Sequence, residues 1–170
     1  MKKSILLLTG MFAMVLSLTV NAQTASSTAT ATASATIVNP LEIYKNSDLA
    51  FGNIASGPSY GTVTIGTDGS RYGMGGVTLI QVGNYNSAAQ FSITGYPNAT
   101  FAIMLPYSVG ITNGGSWMYV DNFVSDLGNY SNTLDWYGNA TMNVGATLNV
   151  EAGQEPGYYT GSFDVTVAYN

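Results

Sequence analysis

The chain has 170 residues, 46% of them hydrophobic and only 8% charged, with a formal charge of −5, no cysteine and no histidine. That composition leaves no disulfide framework, no Ser-His-Asp or Cys-His nucleophilic site and none of the usual zinc sites, since thiolate or imidazole is the base or ligand in each. The acidic balance also works against nucleic acid, whose binding depends on cations that neutralise phosphates.

In chain order, Met1-Lys2-Lys3 precedes an apolar run over 5–20 and the small-x-small close Val20-Asn21-Ala22. These are the parts of a secretory signal peptide cut after Ala22, which predicts an exported protein that ends at the cell surface or outside the cell. The run is short and interrupted for a spanning helix. Without residues 1–22, Lys45 and Arg71 stand against nine acids, a formal charge of −7, on a chain long enough for one domain with its own core.

Residues 23–34 form an Ala/Thr/Ser-rich extension. From Thr28 the sequence alternates strictly, through Ala29, Ala31, Ala33 and Ala35 to Ile37. Period-two alternation is a strand signal and the interleaved Thr lowers helix propensity, whereas Ala buries little surface; the extension reads equally as a strand or as a flexible tether.

Residues 35–170 read as a single all-β domain. Strands are predicted at 35–43, 49–51, 61–65, 76–82, 89–94, 100–105, 118–124, 146–150 and 159–169, rich in Val, Ile, Thr, Tyr and Phe. Asp68-Gly69, Gly75-Gly76 and Asn113-Gly114-Gly115 supply the residues that tight hairpin turns need. Many short strands divided by turn residues predict an antiparallel sandwich or barrel. The Gly-rich stretch over 66–76 lacks the Lys-Ser/Thr and the strand-to-helix context of a phosphate cradle, and no cofactor is expected.

Asp and Glu are the only strong acid-base candidates, and most of them fall in turns or on polar strand faces, so no catalytic site is expected. Asp121, Asn122 and Asp126 have ligand types suited to calcium but not the spacing of an EF-hand loop, and an Asx-turn role fits them better. Between residues 117 and 137, Trp117, Trp136 and Tyr137 lie among Asn, Ser and Gly. Aromatic faces beside amides suit either a glycan contact or a core.

The final segment alternates between Tyr159, Phe163, Val165, Val167 and Tyr169 on one face and Thr160, Ser162, Asp164, Thr166 and Ala168 on the other, so it is built to be buried on one side. With Gly157 fourteen residues from the end and Tyr169 penultimate, it resembles the last strand of chaperone-usher pilins. More broadly, Ala35-Thr36-Ile37-Val38-Asn39-Pro40-Leu41, Asp48-Leu49-Ala50-Phe51-Gly52, Gly61-Thr62-Val63, Gly76-Val77, Phe91, Gly95 and Gly157-Tyr158-Tyr159-Thr160-Gly161 resemble the DUF4402 family of exported bacterial proteins.

The pilin likeness implies an incomplete immunoglobulin-like sandwich whose missing edge strand comes from a neighbour. Its acceptor strand would end at Tyr169, its donor would be the 28–37 segment, and its partners would be further copies, related surface subunits and a periplasmic chaperone. The same alternation also allows the extension to be the domain's own first strand. The expected function is accordingly a non-enzymatic fimbrial subunit. A carbohydrate-binding or adhesive module and a small outer-membrane barrel are the alternatives, though spanning strands need about nine to eleven residues and most segments are shorter.

Overall fold

Alternation in the sequence becomes alternation in burial. In the computed structural model, which describes residues 26–83 and 85–170, Val63 and Ile65, then Ala89, Phe91 and Ile93, then Phe101 and Ile103 are buried while the residues between them are not. The chain divides at Thr36. Residues 26–36 are exposed and carry no strand, and the predicted signal peptide lies outside the described residues.

Within Ile37–Asn170 the described residues form strands and no helix: β1 (Glu42–Ser47), β2 (Ala50–Phe51), β3 (Asn53–Ile65), β4 (Arg71–Ile80), β5 (Asn86–Ser87), β6 (Ala89–Thr94), β7 (Thr100–Met104), β8 (Ser108–Thr112), β9 (Trp117–Ser125), β10 (Asn132–Thr133), β11 (Asn139–Val150) and β12 (Thr166–Tyr169). A seven-stranded sheet runs β1-β6-β11-β3-β4 and takes on β9 and β8 through β11; β10-β7-β12 form a second sheet and β2-β5 a small pair. Every ladder is antiparallel.

Strand β11 organises the large sheet. Its first half sets Ala140 against Ile93 and Met142 against Phe91, and its second half sets Leu148 against both Val63 and Val120. Residues paired directly across a ladder share a face, so each match places apolar side chains at one depth. One buried cluster joins Phe91, Ile93, Met142 and Val144 of the large sheet to Phe101 and Ile103 of β7, with Leu134. A second gathers Val63, Val120, Ala146, Leu148 and Val150.

The turns follow local chemistry. Between β3 and β4, Asp68 Oδ1 accepts hydrogen bonds from the Ser70 amide (2.9 Å) and the Ser70 hydroxyl (2.5 Å), while Gly69 takes a φ of 78°. Between β8 and β9, Asn113 Oδ1 accepts from the amides of Gly115 and Ser116.

The predicted strands at 89–94 and 100–105 coincide closely with β6 and β7, but others differ. The segment predicted at 35–43 does not start pairing until Glu42, after Pro40, which has no amide hydrogen to give a ladder. Strands β3 and β11 begin well before the predicted 61–65 and 146–150, and β8 lies where none was predicted.

Gly75-Gly76 is no hairpin turn. It lies inside β4 opposite a bulge in β3, where pairing passes from Ser56↔Val77 to Gly61↔Gly75. A Cβ at Gly76 would collide with the Ser59 carbonyl oxygen, so only glycine allows that approach.

Replacing the fully buried Phe101 by Ala should lower unfolding free energy by about 3–5 kcal/mol in urea titrations. The Ser70 hydrogen bonds hold the Asp68 carboxyl below its ordinary range. Its contribution is then fully present above the unfolded-chain pKa and is lost as pH falls through the folded one. NMR titration should place Asp68 below a free aspartate, and in Ser70→Ala it should move back up.

Candidate functional site

The C-terminal run passes from one sheet to the other. Thr160 bridges to Thr112 of β8 in the large sheet, with amide-to-carbonyl distances of 3.0 Å in both directions, whereas residues 166–169 pair with β7 in the small one. Between them 161–165 carry no strand assignment. The β7 ladder ends at Met104↔Thr166, two residues before Pro106, which has no hydrogen to offer. The predicted strand at 159–169 is thus one short strand and one bridge, although its alternation persists: Phe163, Val165, Val167 and Tyr169 are half-buried and the residues between them exposed.

Phe163 packs edge-on to Phe91, with centroids 6.4 Å apart, and tilted against Phe123 at 5.0 Å. Tyr169 pins the end of the run. Its hydroxyl accepts from the Tyr96 amide at 2.7 Å and donates to the Asn39 carbonyl at 3.0 Å. Tyr159 acts elsewhere, its hydroxyl donating to the Glu155 carbonyl and accepting from Gln154 Nε2, which closes the loop after β11. Gly157 lies against Asn113, whose Nδ2 a Cβ there would meet at 2.8 Å.

Strand β1 flanks the same region. It pairs with β6 on one side, as β12 pairs with β7 on one side, and among the described residues neither has a ladder on its other edge. Leu41, just before β1, and Ile43 within it, together with Phe163, Val165, Val167 and Tyr169, pack on the buried cluster yet stay only half-covered. Two strands with one open edge each and a set of half-buried apolar side chains thus lie along one seam. The sequence does not mark Leu41, Ile43, Phe91 and Phe123 as parts of this seam, because only the packing of β1 and β6 beside the C-terminal run brings them there.

Ala29, Ala31, Ala33 and Ala35 are exposed, and Ile37 is 98% exposed. The three aromatic candidates do not form one patch. Trp136 and Tyr137 occupy the turn before Asn139, at one end of β11, whereas Trp117 opens β9, whose Tyr119 pairs with Asn149 near the other end. Roughly 33 Å of strand separates the two groups. An open hollow of about 350 Å³ lies beside Tyr137, between Asn39, Pro40, Glu42 and Thr94.

Three of the carboxylates serve local structure. Asp126 accepts from the Asn143 amide and side chain, and Asp135 from the amides of Tyr137 and Asn139. Asp121 accepts from Asn122, which takes a φ of 49° at a bulge in β9. Among the described residues no group of three or more acidic side chains gathers in a way that could hold a metal ion.

A family described as a domain of unknown function (DUF4402) matches residues 41–169, and the chain belongs to that family. No curated protein and no solved structure matches it. The matched span takes in both flanks of the seam, from Leu41 to Tyr169.

Replacing Tyr169 by Phe keeps the ring and removes both hydrogen bonds of the hydroxyl. Unfolding free energy should fall by about 1–2 kcal/mol, read as an earlier urea midpoint at unchanged slope.

Proposed function

We propose that the protein is an exported, non-enzymatic surface subunit that assembles by β-strand complementation, its curled sheets being an immunoglobulin-like sandwich one strand short. The observation that carries this reading is the half-buried row Leu41, Ile43, Phe163, Val165 and Val167 between two strands with open edges. A strand laid there would pair with free backbone groups and cover apolar surface in one step, which is how an added strand gains both affinity and register. An unfilled seam of this kind invites indiscriminate edge pairing, so a dedicated occupant is expected.

The occupant is the 28–37 segment of another copy or of a related subunit, with a periplasmic chaperone holding the seam in transit. Its alternating alanines offer the seam only methyl groups. Each methyl adds about 0.8 kcal/mol at most, so main-chain hydrogen bonds carry the larger share.

Deleting residues 23–36 should leave a folded monomer and remove fibres seen by electron microscopy; fibres of ordinary length from the deleted protein would reject the reading. A synthetic peptide of residues 28–37 added to that monomer, at about a hundred times its Kd, should raise unfolding free energy by about 2.7 kcal/mol. Val165→Lys, at the open part of the seam, should abolish that gain.

A further inference from the structure

The large sheet also has a face turned away from the core, and its registers align side chains across five strands. Met74, Thr62, Asn149, Tyr119 and Gly110 are successive partners on β4, β3, β11, β9 and β8. The next row holds Tyr72, Thr64, Thr147 and Asp121. On the same strands the intervening residues Val63, Leu148 and Val120 are buried, which fixes these rows as the outward ones. Trp117 and Tyr119, two apart on β9 and each 58% exposed, share this face, as do Met74 and Tyr72.

The rings lie low on the sheet. A Cβ on Gly110 would come within 3.0 Å of Trp117 Cε3 and 3.8 Å of Tyr119 Cε1, so both rings extend over bare backbone. Tyr60, its hydroxyl donating to Asn149 Oδ1, joins the face two strands from Tyr119, roughly 10 Å away. Asn149 in turn donates to the Tyr119 carbonyl at 3.2 Å, and the hydroxyls of Thr64 and Thr147 lie 3.0 Å apart.

We propose that this face binds an extended, uncharged polysaccharide, with Trp117 and Tyr119 as the stacking platform. Flat rings receive the C–H faces of sugars, and the Thr and Asn rows between them exchange hydrogen bonds with hydroxyls. The charge balance selects a neutral ligand. The two rows hold the acid Asp121 and no base, while Lys45 pairs with Asp48 and Arg71 donates to the carbonyls of Phe51 and Ile80. Phosphate, sulfate and uronate groups would therefore find no cation here.

The test is retention of the purified protein in native gels containing soluble neutral polysaccharides (β-glucan, xylan, galactomannan) and co-sedimentation with cellulose and chitin. Retention by at least one is expected. Trp117→Ala and Tyr119→Ala should each weaken it about tenfold, Tyr119→Phe should retain it, and Trp136→Ala, at the far end of β11, should bind like the parent. No retention by any of the five, equal retention by the parent and both Ala variants, or Tyr119→Phe failing as badly as Tyr119→Ala would overturn the proposal. So would a dimer in light scattering that Tyr119→Ala disperses, which would give the face to a second copy. Loss of fibres has no bearing on these outcomes, because Trp117 and Tyr119 lie on the outer face of β9, whereas the seam meets that strand only through Phe123, which packs inward on Phe163.

Discussion

The contact on which the arrangement depends is the one Phe163 makes with Phe91 and Phe123. Phe91 belongs to β6 and Phe123 to β9, two strands that border different halves of β11. Phe163 reaches both from a run of chain that has left the large sheet and has not yet joined the small one. A ring that packs edge-on to one partner and tilted to another supplies large apolar area without asking the backbone for a ladder. Chain between Thr160 and Thr166 can thus cross from sheet to sheet while its backbone groups stay available.

That availability gives the seam its character. Leu41, Ile43, Val165 and Val167 stay half-buried where Ile93 and Met142 are fully buried, and β1 and β12 each carry one ladder among the described residues. Pro106 lacks the amide hydrogen that would carry the β7 ladder further along the C-terminal run, and Pro40 likewise offers none just before β1. The Tyr169 hydroxyl meanwhile ties the end of β12 to the backbone at Asn39 and Tyr96, so the half-covered row is held in place at one end.

The large sheet carries a second division of labour, across its thickness. Period-two alternation on β3, β9 and β11 sends Val63, Val120 and Leu148 inward and Thr62, Tyr119 and Asn149 outward at adjoining positions. The inner rows are supplied by packing and tolerate little change of volume. The outer rows are free of that demand and hold a mixture of rings, hydroxyls and amides. Assembly through the seam and adhesion through the outer face would use opposite faces of β9 and so would not compete.

The sequence by itself determined the all-β class, the strands at β6 and β7, the turns built on Asp68 and Asn113, and the one-sided nature of the last segment, because alternation and turn chemistry are local. It also exposed the DUF4402 motifs. The early parts of β3 and β11 were not legible, since Gly57-Pro58 and the Asn, Gly and Thr of 139–145 have turn composition and become strand only because neighbouring ladders take up their backbone groups. Gly75-Gly76 read as a turn for the same reason, until a bulge in β3 was placed against it. Which apolar residues stay half-covered, and the separation of Trp117 from Trp136, were decided only by tertiary structure: both depend on which strand lies beside which, and register between distant segments is set by the whole core.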